Sequence, residues 1–100
     1  MATLHIEHAI TDLDSWKAAF DQFADFRRHA GVRGYRILQP LDDPQYIVVD
    51  LEFDTAAAAE NFRDALVEKI WPSREAAPAL VGTPQTMILE VVEERGARGT

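Results

Sequence analysis

The sequence predicts an α+β domain with the element order βαββαβ. Two observations lead there first. Residues 3–10 and Tyr46–Phe53 alternate apolar and polar side chains with period two, the pattern of half-buried strands. Residues 15–30 instead place Trp16, Ala19, Phe20, Phe23, Phe26 and Ala30 at helical spacing, one apolar stripe along an amphipathic helix. A third observation sets the connections. Pro40, Asp42, Asp43 and Pro44 crowd a short link, which makes the strands on either side an antiparallel hairpin.

The elements follow in order. In the first strand Leu4, Ile6, His8 and Ile10 share one face, and Thr3, His5, Glu7 and Ala9 share the other. Asp14 is the expected N-cap of the first helix, because its carboxylate can accept a free backbone N–H. Leu13 would then sit just outside the cap, in the position of a hydrophobic staple. Gly31 suits a left-handed C-terminal cap. Arg27, Arg28 and His29 fall in the last turn, where positive charge suits the helix dipole. Residues 32–39 read as the second strand and Tyr46–Phe53 as the third, with Ile47, Val49, Leu51 and Phe53 facing one way. Asp54 or Thr55 caps a second helix over 56–70, striped by Ala59, Phe62, Leu66 and Ile70. Pro72 stops it and leaves Trp71 at the break. Residues 73–80 suit one short helical turn, Thr83-Pro84 a loop, and 86–92 the last strand. The domain is expected over 1–93, with 94–100 a flexible tail.

Two βαβ-like halves around a central hairpin make the split βαβ, or ferredoxin-like, arrangement. Right-handed crossovers would put both helices on one face of a four-stranded antiparallel sheet. That face is expected to carry Leu4, Ile6, Ile47, Val49, Leu51, Met87 and Leu89. The other would carry His5, Glu7, Val48, Asp50, Glu52, Ile88 and Glu90, with Arg36 among them. Such a mixed face can be solvated. It can also stack on a second copy, since a two-fold dimer matches one patch to itself. The homodimer, two sheets face to face in a barrel, is the expectation taken forward.

Composition excludes several function classes. The chain is 47% hydrophobic and 27% charged, too apolar for a disordered chain. Seventeen acidic against ten basic residues, a net charge of -7, argues against a general nucleic-acid binder and against an anionic membrane surface. With no cysteine there is no disulfide, thiolate metal site or thiol nucleophile. No apolar run is long enough to span a bilayer, and residues 1–10 lack the layout of a signal peptide, so the cytoplasm is the expected compartment. Neither a GxGxxG motif nor a P-loop is present to cradle phosphates, and Ser15 and Ser73 lie outside any nucleophile-elbow pattern. His5 and His8 are three apart on a strand, so they point to opposite faces and cannot chelate together. Neither a metal nor a cofactor is expected.

One set of residues is similar to a known group. It comprises the stretch from His8 through Trp16 and Phe20-Asp21, then Arg27, Gly31, Asp42-Asp43-Pro44, Glu52-Phe53-Asp54 and Gly82-Thr83-Pro84. Together these resemble small bacterial proteins of the dimeric α/β-barrel superfamily, relatives of the antibiotic-biosynthesis monooxygenases, some labelled cyclases. The resemblance covers about positions 3 to 92. It implies the fold and dimerisation, while the superfamily spans cofactor-free oxygenases, polyketide cyclases, haem-degrading enzymes, chlorite dismutases and proteins of no known activity. Many similar members carry a histidine where this chain has Phe23, which removes one polar group. The resemblance also implies a pocket inside each subunit, between sheet and helices.

His8 stands on the helix-facing side of its strand, where a general base belongs: partly desolvated and in reach of a pocket. A core histidine bonded to backbone is the alternative. Arg27 continues the buried edge of the first helix, where a guanidinium can hold a carboxylate or enolate oxygen. The alternative is a helix-end charge paired with Glu7 or Asp50. Trp16, Tyr35 and Trp71 can wall a site for an aromatic ligand, or simply fill the core. Three functions stay open: a cofactor-independent monooxygenase or cyclase on a small aromatic or polyketide-like molecule, a non-catalytic small-molecule-binding or stress-related dimer, and a structural interaction module with no pocket.

Overall fold

The structure is a computed structural model, and it describes residues 1–95. Most of the expected tail, 96–100, lies outside the described residues. Four strands, β1 (Ala2–Ile10), β2 (Gly34–Leu38), β3 (Tyr46–Phe53) and β4 (Leu80–Glu90), form one antiparallel sheet in the order β2-β3-β1-β4. The sheet is open, with β2 and β4 at its edges. Three helices, α1 (Leu13–Gln22), α2 (Ala24–His29) and α3 (Ala56–Ala65), complete the ferredoxin-like order. Among the described residues no helix is long and apolar enough to cross a membrane.

Strand alternation becomes burial directly. Leu4, Ile6, His8 and Ile10 of β1 are buried, as are Ile47, Val49, Leu51 and Phe53 of β3. With Ala59 and Phe62 of α3, the apolar members of this set make the core, and Trp16 and Phe20 of α1 pack against it. Each such large side chain contributes roughly 1.5–3 kcal/mol relative to exposure.

The helix ends show local chemistry deciding boundaries. Asp12, not Asp14, caps α1. Its backbone is extended, and its carboxylate accepts from the Ser15 N–H at 2.7 Å. Leu13 is therefore the first helical residue rather than a staple outside the cap. The second helix uses Thr55, whose hydroxyl accepts from the Ala58 N–H at 3.1 Å, while Asp54 pairs with Arg33 at 2.6 Å.

The expected single helix over 15–30 is two helices. Phe23 adopts φ -99° and ψ 18°, and its N–H turns back to the Phe20 carbonyl at 3.2 Å. The Arg27 guanidinium donates to that same carbonyl. A side chain from α2 thus satisfies the last turn of α1, and its charge suits that negative helix end. Gly31 ends α2 at φ 95°. The Val32 N–H reaches the Arg27 carbonyl (3.1 Å) and the Gly31 N–H reaches Arg28 (3.3 Å), the paired bonds of a Schellman ending.

After α3 the chain widens into a π-helical turn, Leu66–Ile70, closed by the Trp71 N–H on the Leu66 carbonyl at 2.8 Å. Residues 73–79 then form turns, one of them closed by the i→i+4 bond of a single helical turn. The Ala77 N–H bonds the Ser73 carbonyl at 2.9 Å, and the Thr11 N–H ties the Ala79 carbonyl to the end of β1 at 3.0 Å.

Strand β4 departs most from expectation. Thr83-Pro84 is not a loop before it but a part of it. Ala9 pairs with Val81 and Glu7 with Gln85, so β4 bulges between those pairs, and Gly82 takes φ 74°. An edge-strand bulge is where a proline fits, because no ladder bond needs its missing N–H. Beyond the bulge Leu4 faces Ile88 and His5 faces Met87. Ile88 therefore packs toward the helices, and Met87 and Leu89 lie on the open face, the reverse of the expected assignment.

Candidate active site

A half-enclosed cavity of about 100 Å³ lies between the sheet and the helices. Ile6, His8, Val49 and Leu51 form its floor. Helices α1 and α2 supply Trp16, Phe20, Phe26 and Arg27, and Phe23 comes from the break between them. The far wall is Phe62 of α3, Leu66 and Ile70 of the π-turn, and Trp71. Ala76, Ala77 and Ala79 close it beside Leu80. The lining is apolar except for His8 and Arg27.

His8 is buried by strand parity. It also sits opposite the bulge, with no Cα partner on β4 between Glu7–Gln85 and Ala9–Val81. Bulges recur where a side chain must be aimed into a site. Its Nδ1 lies 2.8 Å from the Ala9 carbonyl oxygen, which can only accept, so Nδ1 carries the proton. Burial pushes the imidazole pKa below its ordinary value, against a smaller upward pull from that bond. The ring is therefore neutral near pH 7, and Nε2 keeps a bare lone pair. Among the described residues Nε2 has no protein partner, yet no buried side-chain nitrogen or oxygen there is left sealed without a bond. The lone pair is open to the cavity.

Arg27 is 7% exposed. Its guanidinium carbon lies 3.7 Å from the centre of the Phe20 ring and 5.3 Å from that of Tyr35. Such stacking on an aromatic face partly offsets the loss of water. Burial lowers its pKa, though an arginine stays charged. It pairs with neither Glu7 nor Asp50, which lie on the opposite face of the sheet and bind His5 instead. Among the described residues no carboxylate pairs with it. The Asp21 charge acts on it without a direct bond, so the buried cation stays costly, and an anion entering the cavity would supply a direct partner.

Trp16 and Trp71 reach the cavity wall, Trp16 stacked on Phe20 with centroids 4.9 Å apart. Tyr35 does not. Its ring packs T-shaped with that of Phe20, centroids 5.0 Å apart, and the residue remains 46% exposed, so it supports a wall without lining it. Sequence reasoning missed the alanines at 76, 77 and 79 and the π-turn. The signal available was a run of small residues directly after a proline-stopped helix. π-turns often occur at functional sites.

The open face carries a second polar group. His5 donates to Asp50 through Nδ1 (2.7 Å) and to Glu7 through Nε2 (2.8 Å), and the Tyr46 hydroxyl donates to Glu7 at 2.7 Å. The hydrogen bond to Glu7, more than Asp50, raises the His5 pKa against the pull of burial. Arg36 stands 3.7 Å from Asp50. Among the described residues no three His, Asp or Glu groups are placed to hold a metal.

The ferredoxin-like fold, a four-stranded antiparallel sheet with helices on one face, defines the class of protein. Solved structures of that class match nearly the whole chain. SnoaB, a cofactor-independent oxygenase from Streptomyces nogalater, is 19% identical, with a TM-score of 0.68 over 93% of this chain and 94% of that one. A candidate antibiotic biosynthesis monooxygenase from Bordetella bronchiseptica is 16% identical, with a TM-score of 0.72 over 92% and 98%. A dimeric ferredoxin-like protein from an uncultured marine organism is 11% identical, with a TM-score of 0.61 over 94% and 97%. At these identities the likeness is one of fold. No family profile matches the sequence, and no curated protein does.

Proposed function

We propose that the protein is a cofactor-independent monooxygenase acting on a small electron-rich aromatic molecule. The observation that carries this reading is one apolar cavity holding a neutral imidazole with an open lone pair and a guanidinium with no carboxylate partner. His8 Nε2 takes the proton of a phenol or enol, and the positive charge of Arg27 in the same cavity stabilises the resulting anion. The anion is the reductant. It passes two electrons to dioxygen, a carbon–oxygen bond forms, and the peroxide O–O bond breaks. One oxygen atom stays on carbon as a carbonyl, and the other leaves as water with the two hydrogens lost by the substrate. Apolar walls favour this course by keeping bulk water from the anion. A cyclase would use the same two groups on a flexible polyketide chain. About 100 Å³ is small for such a chain, so the oxygenase is preferred.

The test is oxygen uptake with a panel of small phenols, in chelator-treated buffer. Only the neutral imidazole accepts a proton, and its pKa lies below the ordinary 6.5. Turnover should therefore rise with pH through a midpoint under that value and level off above it. A midpoint above it would exclude His8 as the base.

We further propose that the protein works as a homodimer through its open sheet face. Leu38, Val81, Met87 and Leu89 are all exposed there, around the His5 cluster. Solved structures of this fold are described as dimeric. Native mass spectrometry should give twice 11.2 kDa, and Met87→Glu should give the monomer. A wild-type monomer would show that the face is merely solvated.

A further inference from the structure

Size and charge together restrict what the cavity accepts. An engineered apolar cavity of about 150 Å³ holds benzene, whereas pockets for drug-sized ligands run to roughly 300–1,000 Å³. About 100 Å³, partly open at one side, suits one ring with its substituents reaching the mouth. A second fused ring does not fit within that volume. No Asp or Glu lines the cavity. Its only charge is Arg27, which gives one bond to the Phe20 carbonyl and keeps its other N–H donors without a protein acceptor among the described residues. That charge is permanent, so it favours a ligand that arrives already ionised, before any proton is taken by His8.

We infer that the occupant is a single-ring aromatic acid, with an ionised carboxylate or equivalent oxyanion for Arg27 and a separate hydroxyl for His8. This rests on the reading above, that the cavity takes a ligand. A carboxylate accepts two parallel N–H donors, which a neutral amide of the same shape cannot do. The aromatic ring meets Trp16, Phe20 and Phe62 at the walls.

The experiment is a calorimetric titration of the whole chain with three probes: para-hydroxybenzoate, para-hydroxybenzamide and hydroxynaphthoate. Tryptophan emission is read alongside for the single-ring probes, because both tryptophans of the chain, Trp16 and Trp71, line the cavity. The benzoate should bind and shift the emission. The amide should bind about ten- to a hundredfold more weakly, the range for a hydrogen bond to a charged group. The naphthoate should bind more weakly than the benzoate. Arg27→Lys should keep part of the preference for the acid, and Arg27→Met should abolish it. Equal affinity for acid and amide, or tighter binding of the naphthoate, overturns the inference and leaves the ligand-binding reading standing. No binding by any probe, with unchanged emission, removes both.

Discussion

Replacing His8 by alanine should lower turnover about 10²- to 10⁴-fold, the usual contribution of a positioned general base. That corresponds to roughly 3–5.5 kcal/mol in the barrier. Binding should fall by no more than about tenfold, the loss of one neutral hydrogen bond, because Arg27 and the aromatic walls remain. The truncation also leaves a space the size of the lost ring, so added imidazole should restore part of the rate. Stability should fall modestly, since the ring's one protein bond, to the Ala9 carbonyl, is worth about 0.5–1.5 kcal/mol. His29→Ala is the control, because that ring is exposed and bonds only the Asp25 carbonyl. Turnover within threefold of wild type would make His8 a core histidine held by backbone and nothing more.

The largest effect on stability is expected at Phe62. It is 4% exposed, stacked with Phe26 at 5.3 Å and tilted against Phe53 at 5.6 Å. Phe62→Ala should cost about 3–5 kcal/mol. A domain of this size has only about 5–15 kcal/mol in total. The melting temperature should drop by at least ~12 °C, at ~4 °C per kcal/mol. The same residue walls the cavity, so the folded fraction of the variant should gain affinity for hydroxynaphthoate. A drop under about 3 °C would mean that the walls collapse into the gap, and that the cavity's shape is not held by the core.

The parts of this fold legible in sequence are those set by local periodicity. β3 runs over Tyr46–Phe53 as its alternation requires, and His8 turns toward the helices because Leu4 and Ile6 do. The break at Phe23 was not legible. The apolar stripe keeps its phase across it, and what stabilises it is Arg27 reaching a carbonyl seven residues back. Nor was β4. Gly82-Thr83-Pro84 has turn composition, and only pairing with β1 shows it to be a bulge inside a strand. That bulge decides which side chains face inward, so Met87 and Leu89 went to the wrong side. Tyr35 shares the cavity's face of the sheet, yet it touches Phe20, which lines the cavity, without lining it itself. Parity tells which face a residue takes and not what it reaches.

The bulge on β4 has a consequence for behaviour in a crowded solution. A long flat outer strand offers its unpaired backbone groups to any passing chain, and repeated pairing of that kind builds fibres. Here the outer strand is bent at Gly82 and lacks a donor at Pro84, so it makes a poor template. The sheet is left free to recognise another surface through its side chains, while indiscriminate growth along its rim is discouraged.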